Sequence, residues 1–220
     1  MDWTQQVIAY CERGDFGFWA EPVNAVTNAA FLAAAAVMAW RLRGLQGMAL
    51  AWAMVAVLAA IGGGSFLWHT HAARWAGLMD VLPILLFILL YVFAATRDFL
   101  GLRWYWAVLA VLLFLPYAAA VSAGLGRLVP GLGANGAYAS VALLIVIYAL
   151  ALRPRHPETA LGLLTGAAIL AVSLGFRMLD GPVCDVFPLG THFMWHLLNA
   201  AMLGWMIEVY RRHRQRVGPA

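Results

Sequence analysis

Five polar residues in an otherwise apolar chain could do chemistry together: Ser65, His69, Asp80, His192 and His196. Ser65 and His69 are four positions apart, and so are His192 and His196, so on a helix each pair shares one face. Asp80 follows His69 by eleven positions. Zinc favours imidazole nitrogen, and its catalytic sites commonly keep three protein ligands and one open position for water. His69, His192 and His196 supply such a set. Zinc brings the pKa of its water down to about 7. Asp80 is then the general base that takes the proton and hands it to a leaving group. Ser65 is the donor to a developing oxyanion or to the metal's water. The competing reading of each pair is simple polar packing between helices, and neither His69 nor Asp80 specifies a metal by itself. No HExxH is present, and Ser65 lies in Gly63-Gly64-Ser65-Phe66-Leu67 rather than in GxSxG, which counts against a serine hydrolase. His71 reads as a loop or interfacial residue. His156 and His213 fall on the inner side, away from this set.

The elements that would hold these groups are membrane helices. The chain has 220 residues, 64% hydrophobic and 11% charged, with a mean hydropathy of +0.82. A soluble domain is nearer half apolar and a quarter charged. Seven apolar runs stand out, at 23–41, 48–68, 76–96, 104–123, 135–152, 159–177 and 191–210, separated by Arg41-Leu42-Arg43-Gly44, Arg97-Asp98, Pro130-Gly131 and Arg153-Pro154-Arg155-His156-Pro157. Each run can span the hydrocarbon core, where backbone must be helical or closed into a barrel. Uninterrupted apolar runs lack a barrel's alternation. The expectation is an all-α membrane protein of seven transmembrane helices in one domain, residues 1–220. It has a polar N-terminal segment at 1–22 and a basic tail at 211–220. The acidic opening stretch, with Asp2, Glu12, Asp15 and Glu21, lacks the pattern of a cleavable signal.

All 14 basic residues are arginine, and they orient the bundle. With the N-terminus outside, the inner loops and tail hold Arg41, Arg43, Arg97, Arg103, Arg153, Arg155, Arg211, Arg212, Arg214 and Arg216. Only Arg13, Arg74, Arg127 and Arg177 lie outside. That asymmetry predicts N-terminus outside and C-terminus cytoplasmic. The second, third and seventh runs then deliver Ser65–His69, Asp80 and His192–His196 to the same outer leaflet, although these residues played no part in the orientation. The arginines are scattered over short loops and a tail, which excludes a folded nucleic-acid-binding face.

The set Ser65, His69, Asp80, His192 and His196 resembles the alkaline ceramidase family, part of a superfamily of seven-helix membrane hydrolases that includes adiponectin-receptor-like proteins. Tyr10-Cys11-Glu12 and Ala20-Glu21-Pro22-Val23-Asn24-Ala25-Val26-Thr27-Asn28 resemble that family's opening segment. The resemblance runs from residue 10 to about 200. It implies zinc on His69, His192 and His196, support from Asp80 and Ser65, and hydrolysis of a ceramide amide to a sphingoid base and a fatty acid. It also implies a calcium ion in the N-terminal segment, on Glu12 and Glu21 with backbone oxygens of Tyr10 and Gly14. Two departures stand against calcium: Ala9 replaces the family's aspartate, and the interval from Cys11 to Glu21 is shorter. Asp15 is a substitute donor, since calcium accepts several hard oxygens in irregular geometry. The alternative is an acidic outer segment that only sets topology.

Cys11 and Cys184 are the whole thiol inventory, and both fall on the outer side. Disulfides persist there, and the resemblance also implies a bridge; two free thiols are the alternative. Trp3, Trp19, Trp40, Trp75 and Trp104 read as interfacial anchors. Trp68 and Trp195, beside the histidines, are pocket walls or packing residues. Arg177 and Asp180 are a candidate ion pair. The expected function is zinc-dependent intramembrane amide hydrolysis of ceramide or a related N-acyl lipid. The site would face the extracytoplasmic side of a bacterial inner membrane, with a lipid substrate and no obligate protein partner. A seven-helix receptor or sensor with a structural zinc and no turnover is the alternative. A metal transporter is disfavoured, because the inner halves of the runs are almost purely apolar.

Overall fold

The computed structural model describes residues 2–129 and 131–218; Met1, Pro130, Pro219 and Ala220 lie outside the described residues. Helices occupy all seven apolar runs. The first is a short α1 (Pro22–Thr27) leading into α2 (Ala29–Leu42), followed by α3 (Ala49–His71) and α4 (Arg74–Ala94). Next come α5 (Trp104–Leu128), α6 (Gly136–Leu152), α7 (Pro157–Leu179) and α8 (His192–Val217). A π-turn, Ala95–Phe99, extends α4. Five stretches are long and apolar enough to cross a membrane: Pro22–Leu42, Ala49–His71, Arg74–Phe99, Trp104–Leu128 and Pro157–Leu179. Gly136–Leu152 is apolar but shorter. The charged C-terminal half of α8, with Glu208 and four arginines, dilutes its hydropathy.

The helices run alternately up and down. α3 packs on α4 and α2, α8 on α7 and α2, and α6 on α7, with α5 at the margin against α4 and α6. Met54, Leu58, Ile61, Leu163 and Ile207 are fully buried at the centre. Where lipid is as apolar as leucine, association relies on close packing of backbones through small residues. At Gly162 and Gly166 of α7, an added Cβ would come within 2.7 Å of Val209 and 2.5 Å of Met206 on α8. At Gly64 of α3, a Cβ would lie 2.0 Å from the carbonyl oxygen of Met79 on α4.

The two ends of the bundle differ. At the arginine-rich end, α8 is tied to its neighbours by buried polar groups. The Tyr210 hydroxyl donates to Asp98 in the π-turn (2.6 Å), and Arg97 and Arg214 also reach Asp98. His213 bridges the Asp98 carbonyl and Thr159 of α7, and Glu208 collects Arg41 of α2 with Arg211 and Arg212. The opposite end carries Ser65, His69, Asp80, His192 and His196. There the N-terminal segment lies across the turn from α3 to α4. Val7 donates to Ala72 (2.8 Å), Arg74 to Gln5 (3.1 Å) and Trp75 to Trp3 (3.1 Å). Ala72, at φ 48°, makes that turn in a left-handed conformation that is uncommon outside glycine.

Candidate metal centre

His69 sits in the last turn of α3, and His192 and His196 in the first two turns of α8. All three are buried, at 0%, 1% and 1% exposure. Each offers a ring nitrogen, and these nitrogens lie within 4.8 Å of one another. Among the described residues this is the group of His, Cys, Asp and Glu side chains arranged to share an ion. His69 Nε2, His192 Nδ1 and His196 Nε2 are buried without a hydrogen-bond partner. Buried polar atoms are nearly always satisfied, so three orphaned nitrogens converging on one point fit a metal ion's ligand set.

The outer hydrogen bonds fix which nitrogen faces inward. Glu21 Oε2 accepts from His69 Nδ1 at 2.6 Å. The Thr27 hydroxyl spends its proton on the Val23 carbonyl (2.8 Å), so its oxygen accepts from His196 Nδ1 (2.9 Å). Both histidines thereby engage Nδ1 and leave Nε2 as the nitrogen available to a metal, in the usual carboxylate- or hydroxyl-backed arrangement. Burial pushes the Glu21 carboxyl up, but bonds from His69, Arg13 and Asn24 outweigh it and hold the group below the ordinary carboxylate range. The ring of Tyr10 stacks on His192, with centroids 3.7 Å apart and planes 20° apart.

Asp180 sets the start of α8. Its Oδ1 accepts the amides of Thr191 (2.8 Å) and His192 (2.9 Å), and its Oδ2 accepts the amide of Cys11 (3.1 Å). It thereby satisfies helix-terminal donors that would otherwise be orphaned. Cys11 and Cys184 are joined by a disulfide, Cα atoms 5.3 Å apart, which ties the N-terminal segment to the loop before α8. Asp180 does not pair with Arg177. Arg177 instead donates to Asn135 (3.0 Å), and its guanidinium stands over the rings of Tyr10, Tyr138 and Trp195 at 5.8, 5.3 and 5.0 Å. The nearby aspartate took a different task because three amides converge on it.

Ser65 is buried, one turn before His69 on α3, and Asp80 is half-buried on α4. The close crossing at Gly64 sets these two residues together. The Asp80 main chain lies where α4 meets Gly64, the residue before Ser65. Trp195 is buried and walls a chamber in the bundle; Trp68 packs on Gly77. The chamber lies between α2, α3, α4, α6, α7 and α8, lined by side chains such as Phe31, Phe87, Leu144, Ile145 and Met202. The ring of Phe31, on the chamber wall, is 6.3 Å from that of His196.

Several of the oxygens that the resemblance assigns to calcium accept hydrogen bonds within the chain. Glu12 accepts the amides of Val23 (2.7 Å) and Asn24 (2.8 Å), which open α1. The Asp15 side chain accepts the Gly17 amide, and the Tyr10 carbonyl accepts the Arg13 amide. Glu21 is shared by Arg13, His69 and Asn24. Glu12, Asp15 and Glu21 are not among the side chains that converge to share an ion in the described residues; Arg13, not a metal, lies against Glu21 and the Asp15 carbonyl. Thr27, Asp180 and Arg13 are the supporting residues that spacing did not single out for these tasks. The one signal was Thr27, which stands with Asn24 and Asn28 at the start of an otherwise apolar span. Comparison with protein-family models and with curated proteins finds no match to the chain.

Proposed function

We propose that the chain is a seven-span integral membrane amidase that uses zinc on His69, His192 and His196 to hydrolyse ceramide or a related N-acyl lipid. The observation that carries this reading is the set of three buried histidines, each with an unpartnered ring nitrogen and close enough to share an ion. Apolar side chains exposed along α4 and α5, among them Leu78, Leu82, Leu86, Leu109, Leu112 and Leu113, support a lipid-facing surface. The arginine asymmetry supports placing the histidine end on the extracytoplasmic side, in keeping with the disulfide at that end.

When bound, zinc supplies Lewis-acid polarisation and acidification of water. The chain's own residues supply the rest. The acyl tail lies in the chamber and the amide stands at its head. Ser65 donates a hydrogen bond to the amide oxygen as charge develops there. Asp80 takes the proton of the attacking water and delivers it to the departing nitrogen. The C–N bond breaks, giving a free fatty acid and an amine. The histidines are backed by Glu21 and Thr27, so they need not reorganise as the reaction proceeds.

The test is fatty-acid release from ceramides and other N-acyl lipids by purified protein, with Asp80→Asn as the diagnostic variant. The expected result is turnover by the wild type, and zinc retained with turnover lost in Asp80→Asn. Zinc bound by the wild type with no release from any N-acyl lipid would instead assign a receptor or sensor role.

A further inference from the structure

Arg13 is the only arginine whose side chain is completely enclosed among those forming ion pairs in the described residues. A buried charge is costly unless every donor finds an acceptor. Here Nε donates to Glu21 Oε1 at 2.5 Å. One terminal nitrogen donates to the carbonyls of Asp15 (3.0 Å) and Gly17 (3.2 Å), and the other to the carbonyl of His69 (2.7 Å). One carboxylate and three carbonyls thus surround a single cation, an all-oxygen shell of the kind a hard divalent ion takes. The chain fills it with its own guanidinium.

This shell grips His69 twice. The His69 carbonyl is among the last four of α3 and has no partner within the helix, and a cation at a helix C-terminus is favoured by the dipole. The same guanidinium holds Glu21, whose other oxygen takes the His69 ring proton. Main chain and imidazole of one histidine are therefore referred to one fixed charge.

We propose that Arg13 is the resident cation of the N-terminal segment and a positioning residue of the histidine centre, so that both stand without calcium. The inference rests on the metal reading of the three histidines. Lysine can replace Arg13 only in part, because a point charge lacks the planar set of five donors.

The experiment uses the full chain in detergent, as wild type, Arg13→Ala and Arg13→Lys. Zinc affinity is read by competition with a chromogenic chelator, and amide hydrogen exchange is followed across residues 10–21. Each is measured in millimolar calcium and in a calcium chelator that spares zinc. The expected result is a wild type indifferent to calcium in both readouts. Arg13→Ala should bind zinc about 10–100-fold more weakly and exchange faster over 10–21, with Arg13→Lys in between. A wild type whose zinc affinity or protection rises with calcium overturns the proposal. So does a folded Arg13→Ala protein with wild-type zinc affinity and wild-type exchange. Should Arg13→Ala fail to fold, the wild-type calcium comparison and Arg13→Lys still decide. A wild type that binds no zinc in either buffer refutes the metal reading instead, and the exchange comparison then judges the role of Arg13 alone.

Discussion

Replacing Gly64 by alanine adds one methyl group at the place where α3 and α4 cross. The new Cβ would stand 2.0 Å from the Met79 carbonyl oxygen and 3.3 Å from the Asp80 amide nitrogen, whereas ordinary contact begins near 3.4 Å. The obstacle is helix backbone, which cannot rotate away as a side chain could. The two helices must therefore separate locally by about 1.4 Å, the difference between those distances. Overpacking of this kind costs about 1–3 kcal/mol. The displacement falls between Ser65 and Asp80, and a 1 Å misplacement of reacting groups can cost about 100-fold in rate. Gly63 provides the control, since a Cβ there meets nothing within 4 Å, and alanine should stabilise the helix by up to about 1 kcal/mol. Thermal unfolding in detergent and amide hydrolysis read both variants. Gly64→Ala should lose stability and about two orders of magnitude in turnover while Gly63→Ala loses neither. Equal behaviour of the two variants would refute the reasoning that this crossing sets the site.

Removing the groups behind the histidines should weaken metal binding without emptying the site: Glu21→Gln and Thr27→Val each lower zinc affinity by about 10–100-fold in a chelator competition. Asp180→Ala leaves the amides of Thr191, His192 and Cys11 without their acceptor. Hydrogen bonds to a charged group contribute about 1.5–3 kcal/mol each, so the melting temperature should fall and amide exchange at the start of α8 should rise. Tyr210→Phe removes the donor to Asp98 at the far end. It should cost about 1–3 kcal/mol with zinc affinity unchanged, which separates the stability of the bundle from the state of the metal centre.

Much of this architecture is legible in composition and spacing. Seven apolar runs become helices because each run is long and its breaks carry Arg, Gly or Pro. The two four-residue spacings become helical faces for the same reason, so the three histidines could be chosen before any contact was known. Less legible was what surrounds them. Glu21 reads as a hard-oxygen donor, but a carboxylate's partner is decided in three dimensions, and here His69 and Arg13 reach it first. Asp180 looks like a mate for Arg177 three residues away. Its oxygens turn instead to the amides at the start of α8, eleven and twelve residues on. Arg13 looks like one of a few outer arginines, because nothing in a linear sequence tells a solvated guanidinium from one enclosed by carbonyls.

The most direct test of the central claim is the zinc content of the purified protein and of its His69→Ala, His192→Ala and His196→Ala variants, measured by elemental analysis on folded, monodisperse samples. One zinc per wild-type chain, and its loss in each variant, is the expected result. A full equivalent of zinc retained by all three variants would contradict it.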